Sequence, residues 1–144
     1  VFHLAAADPA SDAAVLAAAR STGAGVRVVV PVREADGGRA DALLRYAAQS
    51  GLSVGLARLP TLFGERDPAA DRLLPRLIRS VLTGDRVAPP TAAELTAPHL
   101  YVGDAAAGLL ALAEALALDP AVGKAPVGFA ADPPVTGADL VEAL

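Results

Sequence analysis

The sequence predicts an α/β fold, a doubly wound parallel sheet with helices packed on its faces. Three observations carry that reading. The stretch VRVVVPV, residues 26–32, is apolar almost throughout, the pattern of a strand covered on both faces. Strand-like and helix-like segments alternate along the chain, the order of a sheet built from βαβ units. The connections are short, and no linker among the 144 residues is long enough to separate independent domains.

Taken in order, VFHLA at 1–5 reads as the first strand. A helix over 11–21 follows, with Ser11 or Asp12 near its start and Gly23 just past its end. The apolar strand at 26–32 leads to a helix over 39–50, which places Ala40, Leu43, Leu44 and Ala47 on one face and stops at Gly51. A strand at 53–59 precedes a helix over 71–82, with Leu73, Leu74, Leu77, Ile78 and Val81 on one face and Gly84 behind it. After a strand at 99–102, Asp104 is placed to cap a helix over 105–118, and Asp119-Pro120 ends it. A strand at 126–129 and a last helix from near Thr136 complete the pattern.

Composition narrows the function classes. Hydrophobic residues make up 53% of the chain and aromatics only 3%, so the core is expected to be aliphatic. A net charge of −4 carries no nucleic-acid footprint. With no cysteine, disulfides, thiolate metal sites and a cysteine nucleophile are excluded. Two histidines, His3 and His99, are too few for a His-rich metal site, and His3, inside an apolar strand, reads as a satisfied core residue. A triad of His99 and Asp104 with Ser80 or Ser53 lacks supporting spacing and any Gly-x-Ser-x-Gly turn. The run 105–118 contains Glu114 and falls short of the roughly 20 apolar residues that span a bilayer. No targeting segment is visible, and the expectation is a cytoplasmic protein with no membrane partner.

VFHLAA, together with residues 57–85 (ARLPTLFGERDPAADRLLPRLIRSVLTGD) and 97–116 (APHLYVGDAAAGLLALAEAL), resembles the extended short-chain dehydrogenase/reductase family of NAD-dependent epimerases and dehydratases. Asp71, Arg72, Leu73, Pro75, Ile78 and Arg79 match one family pattern in register, and Gly108, Leu109, Leu110, Leu112, Ala113 and Glu114 match or nearly match a second. Within the family the likeness is to the CDP-glucose 4,6-dehydratase branch. The resemblance implies a truncated Rossmann-like sheet over residues 1–60 and a small C-terminal substrate-type subdomain over 61–144.

The resemblance also implies parts that this sequence does not carry. Relatives hold NAD on a strand, glycine-rich loop and helix; no G-x-x-G-x-x-G segment occurs here, and GAGV at 23–26 reads only as a helix stop before a strand. Where relatives place a Tyr-x-x-x-Lys pair, counting back from Asp41-Ala42-Leu43 gives Arg33 and Gly37. Tyr46 has Ser50 rather than lysine four residues on and reads as a surface or half-buried tyrosine. The expectation is therefore no cofactor for the chain as given, and NAD if further segments belong to the protein.

Candidate substrate-binding residues are Arg58 and Thr61, after the strand that faces the sugar in relatives, and Arg72, Arg76 and Arg79, one stripe of a helix. Guanidinium groups suit a diphosphate. Against this, the basic residue that relatives carry before HLYV is Ala97 here. Three functions follow as expectations. The first is a degenerate family member without redox chemistry of its own, serving as a binding or assembly partner in a bacterial biosynthetic pathway. The second is a repurposed, cofactor-free biosynthetic enzyme. The third is a fragment of an active NAD-dependent sugar-nucleotide 4,6-dehydratase. A sheet beginning at the family's fourth strand exposes an apolar edge, which predicts a homo-oligomer or a protein partner that completes it, and a small-molecule ligand remains open.

Overall fold

The computed structural model describes residues 1–4, 8–23 and 25–144. The end of the expected first strand and Ala24 of the GAGV segment lie outside the described residues. The chain forms two compact units, one of residues 1–59 with 106–129 and the other of 60–105 with 130–144.

In the first unit, β1 (Arg27–Val32) and β2 (Ser53–Arg58) pair in parallel from Arg27↔Ser53 to Val32↔Arg58. A short β5 (Val127–Gly128) joins the far side of β2, also in parallel. On the near side, residues 1–4 run parallel to β1 through a single bridge, Phe2 to Val29. His3 N donates to Val29 O and Val29 N to Val1 O, both at 2.9 Å.

Both faces of this sheet are covered, which is why β1 reads as apolar sequence almost throughout. Val28, Val30 and Val32 of β1 and Val54 and Leu56 of β2 pack with Leu16 and Ala19 of α1 (Pro9–Ser21) and with Ala40 and Leu43 of α2 (Gly37–Ser50). Val29 and Ala57, which point the other way, pack with Leu109, Leu112 and Leu116 of α5 (Val102–Leu118). Strand side chains alternate between faces, so one apolar run supplies both layers. Helix α5 lies so close that a Cβ on Gly55 would run into the Leu116 side chain. The fold is thus α/β, with a parallel sheet between helices in the Rossmann-like manner.

The second unit holds a mixed sheet. β3 (Thr61–Phe63) pairs in parallel with β4 (Pro98–Tyr101), and β6 (Val135–Thr136) pairs antiparallel with the other side of β4. α3 (Leu73–Thr83), α4 (Ala92–Thr96) and α6 (Gly137–Glu142) complete it. Thr91 and Thr136 open α4 and α6 with reciprocal capping boxes to Glu94 and Asp139.

Several details differ from the sequence expectation. The cap of α1 is Asp8, whose carboxylate accepts from Ala10 N at 3.2 Å and Ser11 N at 2.9 Å, so Ser11 and Asp12 sit inside the helix. α5 begins at Val102, which puts Asp104 in its first turn instead of at its cap. β3, β6 and α4, of three, two and five residues, are too short for hydrophobic periodicity to announce. Residues 106–129 pack with 1–59 because the apolar face of α5 lies on the sheet of the first unit.

Candidate functional site

The second unit contains a cavity of about 650 Å³. β3 and β4 form one wall. Their parallel register sets Thr61 beside His99 and Phe63 beside Tyr101, and all four residues line the cavity. The Phe63 ring is 5.9 Å from that of Tyr101 and 6.5 Å from that of His99, tilted to both. His99 is buried, and its Nδ1 donates to Ala97 O at 2.9 Å. The opposite wall is aliphatic, from Leu73, Leu74, Pro75 and Ile78 of α3.

The loop from Gly64 to Asp67 borders the cavity. A Cβ on Gly64 would run into the Val102 side chain, so the loop leaves β3 on a residue that only glycine fits. The Tyr101 hydroxyl donates to the Glu65 carboxylate, 3.0 Å from Oε2 and 3.2 Å from Oε1. This carboxylate pushes the phenol up from its ordinary value, first by accepting its hydrogen bond and then by its charge. Arg72 Nη1 lies 3.3 Å from Asp67 Oδ2. Glu94, held by the Thr91 backbone and side chain and by Arg76 Nη2 at 3.0 Å, is lowered by these contacts, those of Thr91 foremost.

The five candidate residues therefore divide. Thr61 and Arg72 line the cavity. Arg76 binds the cavity-lining Glu94, and its Nε is buried with no described hydrogen-bond partner. Arg79 is exposed on α3 and outside the lining. Arg58 ends β2 in the first unit, half-buried, its carbonyl accepting from Phe129 N at 3.0 Å. Along the expected stripe, Arg72 is the N-cap of α3 and pairs with Asp67, Arg76 pairs with Glu94, and Arg79 faces solvent.

The first unit carries a polar network that sequence reading missed. His3 is buried, as expected, and its Nε2 lies 2.9 Å from Asp12 Oδ1. Arg39, from the first turn of α2, meets the same carboxylate through Nε and Nη2, and its Nη1 donates to Pro31 O at 3.2 Å. The Arg39 hydrogen bond is the largest influence on Asp12 and lowers its pKa; burial opposes this, and His3 adds to the lowering. Asp12, Leu16 and Ala19 share the buried stripe of α1, and that spacing was the available signal.

NAD is the group the resemblance implies, and the described residues do not fit it. Gly23 and Gly25, both with positive φ, lie between the end of α1 and the start of β1. A pyrophosphate cradle needs glycines at the opposite end of a strand, before a helix N-terminus. At that opposite end Gly37 and Gly38 open α2, but the Asp36 carboxylate stands just before them, accepting from Arg33 N at 3.1 Å, paired with the Arg33 guanidinium at 3.2 Å and lowered by it. A phosphate brought to that helix start meets the like charge of this carboxylate.

Comparison with known proteins agrees with this architecture. The sequence profile described as NAD dependent epimerase/dehydratase family matches residues 39–124, which include all the residues that line the cavity. The chain belongs to that family. Among solved structures it is similar to a partial consensus L-threonine 3-dehydrogenase carrying an E-change, with a TM-score of 0.72 at 21% identity. That likeness covers 92% of this chain and 52% of the other, so the chain spans about half the length of that dehydrogenase. No curated protein matches it. Among the described residues no helix is long and apolar enough to cross a membrane.

Proposed function

We propose that the chain is a ligand-binding family member without redox chemistry of its own, taking a nucleoside diphosphate sugar into the cavity of its second unit. One observation carries the reading. The cavity is lined by the aromatic residues Phe63, His99 and Tyr101 together with Arg66, whose guanidinium no described ion pair engages. Aromatic faces bind flat rings, and guanidinium groups bind phosphoryl oxygens. The likeness to the CDP-glucose 4,6-dehydratase branch makes CDP-glucose the first ligand to try. Arg33 and Gly37, at the positions where relatives carry tyrosine and lysine, support the absence of hydride chemistry.

On this reading the protein is a cytoplasmic binding or assembly partner in a biosynthetic pathway. The exposure of Phe2 and Leu4, 41% and 63%, beside β1 supports a homo-oligomer or second protein at that edge. Titration calorimetry with CDP-glucose tests the ligand. The expected result is saturable one-to-one binding, weakened by Phe63→Ala, with no reduction of added NAD. Absence of binding by both CDP-glucose and CDP overturns it.

The 52% coverage of the dehydrogenase chain favours a second reading, a fragment of an active NAD-dependent sugar-nucleotide 4,6-dehydratase. The intact mass of the natural protein separates the two. A mass well above that of 144 residues, together with NAD reduction, establishes the fragment.

A further inference from the structure

We infer that Arg66 is the residue by which the cavity selects an anionic ligand, taking one phosphoryl group on its guanidinium. The inference rests on the cavity being a nucleotide-type site and assigns its selectivity to a residue that the helix pattern did not single out.

Three independent observations meet at Arg66. It lines the cavity. It is the only non-glycine residue with positive φ among those described, at 62°. And no described hydrogen bond or ion pair engages its guanidinium, whereas those of Arg72 and Arg76 are committed to Asp67 and Glu94.

The backbone around Arg66 explains why it bears the turn. Gly64 is wedged against Val102, and Glu65 is held by the Tyr101 hydroxyl. On the other side, Asp67 accepts from Ala69 N at 3.0 Å and from Arg72. The flanking residues are tied, so the left-handed conformation falls on position 66. Glycine adopts that conformation without steric penalty, and a long side chain does not. An arginine kept in such a place, with an uncommitted charge beside an aromatic and aliphatic cavity, has its use in the side chain. Exposed at the cavity and in no described ion pair, this guanidinium is open to an incoming phosphoryl group. The neighbouring Glu65 carboxylate accepts from the Tyr101 hydroxyl, and no described hydrogen bond or ion pair joins it to Arg66.

The test is calorimetry on the full chain with three probes, inorganic pyrophosphate, CDP and the uncharged nucleoside cytidine. It compares the parent with Arg66→Gly and Arg66→Lys. Arg66→Gly is expected to weaken pyrophosphate and CDP by about 10- to 100-fold, the effect of removing a charge-assisted hydrogen bond. Cytidine affinity stays unchanged, and the thermal midpoint does not fall because the backbone is relieved. Arg66→Lys recovers part of the anion affinity. Equal pyrophosphate affinity in the parent and Arg66→Gly overturns the assignment, and a lowered midpoint in Arg66→Gly counts against the backbone reasoning. A parent that binds cytidine and CDP equally leaves the nucleotide cavity standing and removes Arg66 from it. One that binds pyrophosphate through Arg66 but no nucleoside does the reverse. Binding of none of the three probes overturns both.

Discussion

Arg39 meets the carboxylate of Asp12 side-on, Nε to Oδ2 at 2.7 Å and Nη2 to Oδ1 at 2.8 Å, and His3 Nε2 reaches the same Oδ1 at 2.9 Å. Three segments distant in sequence are thereby joined, residues 1–4, α1 and α2. Burying a carboxylate is unfavourable in isolation, and here its oxygens are matched by donors in bidentate geometry. The network ties together the segment, helix and helix start that flank the carboxyl end of β1.

Removing one member should therefore cost more than removing the network. Asp12→Ala strands the Arg39 charge in a site that is 11% exposed at its side chain, and a loss of about 3–5 kcal/mol is expected in urea unfolding. The double variant Asp12→Leu with Arg39→Met should lose clearly less. If the double variant is the less stable of the two, the network stabilises the fold beyond simple charge compensation.

Acid should weaken the protein through the same carboxylate. The pKa of Asp12 is lowered in the folded state, against roughly 3.9 in an unfolded chain. A depressed folded value means that the stabilisation is complete above the unfolded pKa and is lost as pH falls through the folded one. Asp36, Glu94 and Asp139 shift in the same direction, so the parent curve has several contributors. Subtracting the curve of Asp12→Asn isolates Asp12, and the difference should shrink below about pH 4. A difference independent of pH would remove the linkage.

Tyr101 provides a spectroscopic check on the cavity wall. Its phenol is raised because ionisation places a second negative charge against Glu65. In Tyr46→Phe, which leaves Tyr101 as the one tyrosine, phenolate absorbance should rise at higher pH than for free tyrosine. Glu65→Gln should bring that rise back down. Overlapping titrations of the two proteins would show that the Glu65 contact is not formed in solution.

Gly137 tests the packing of the second unit. Its Cα lies against the Glu94 carbonyl, and a Cβ there would collide with that oxygen and crowd Leu73. Gly137→Ala should destabilise by about 1–3 kcal/mol, as overpacking does. Ala138→Gly, on the exposed side of the same helix, should lose about 1 kcal/mol or less. Equal losses for the two would mean that α6 is not seated as described.

The elements that were legible in the sequence are those long enough to show a period. VRVVVPV declared a strand covered twice, and its valines do face helices in both directions. The three longer helices after α1, namely α2, α3 and α5, followed the same logic, with Gly51 and Gly84 taking left-handed conformations at the ends of α2 and α3. The candidate site was legible only in part. Thr61 and Arg72 reach the cavity, yet its aromatic wall comes from β3 and β4 set in register, and β3 is three residues long. Arg66 carries no sequence signal at all, since nothing in GERD announces a left-handed arginine.

By itself, then, the sequence determined the α/β class, the aliphatic core and the burial of His3, because periodicity and composition are local properties that follow from how side chains alternate along a strand or helix. The tertiary structure alone decided that Asp12 and Arg39 meet across 27 positions, that residues 106–129 pack with the first unit, and that Phe63 and Tyr101 stand together at one cavity. Such contacts depend on register and on the packing of elements far apart in the chain, which no local pattern encodes.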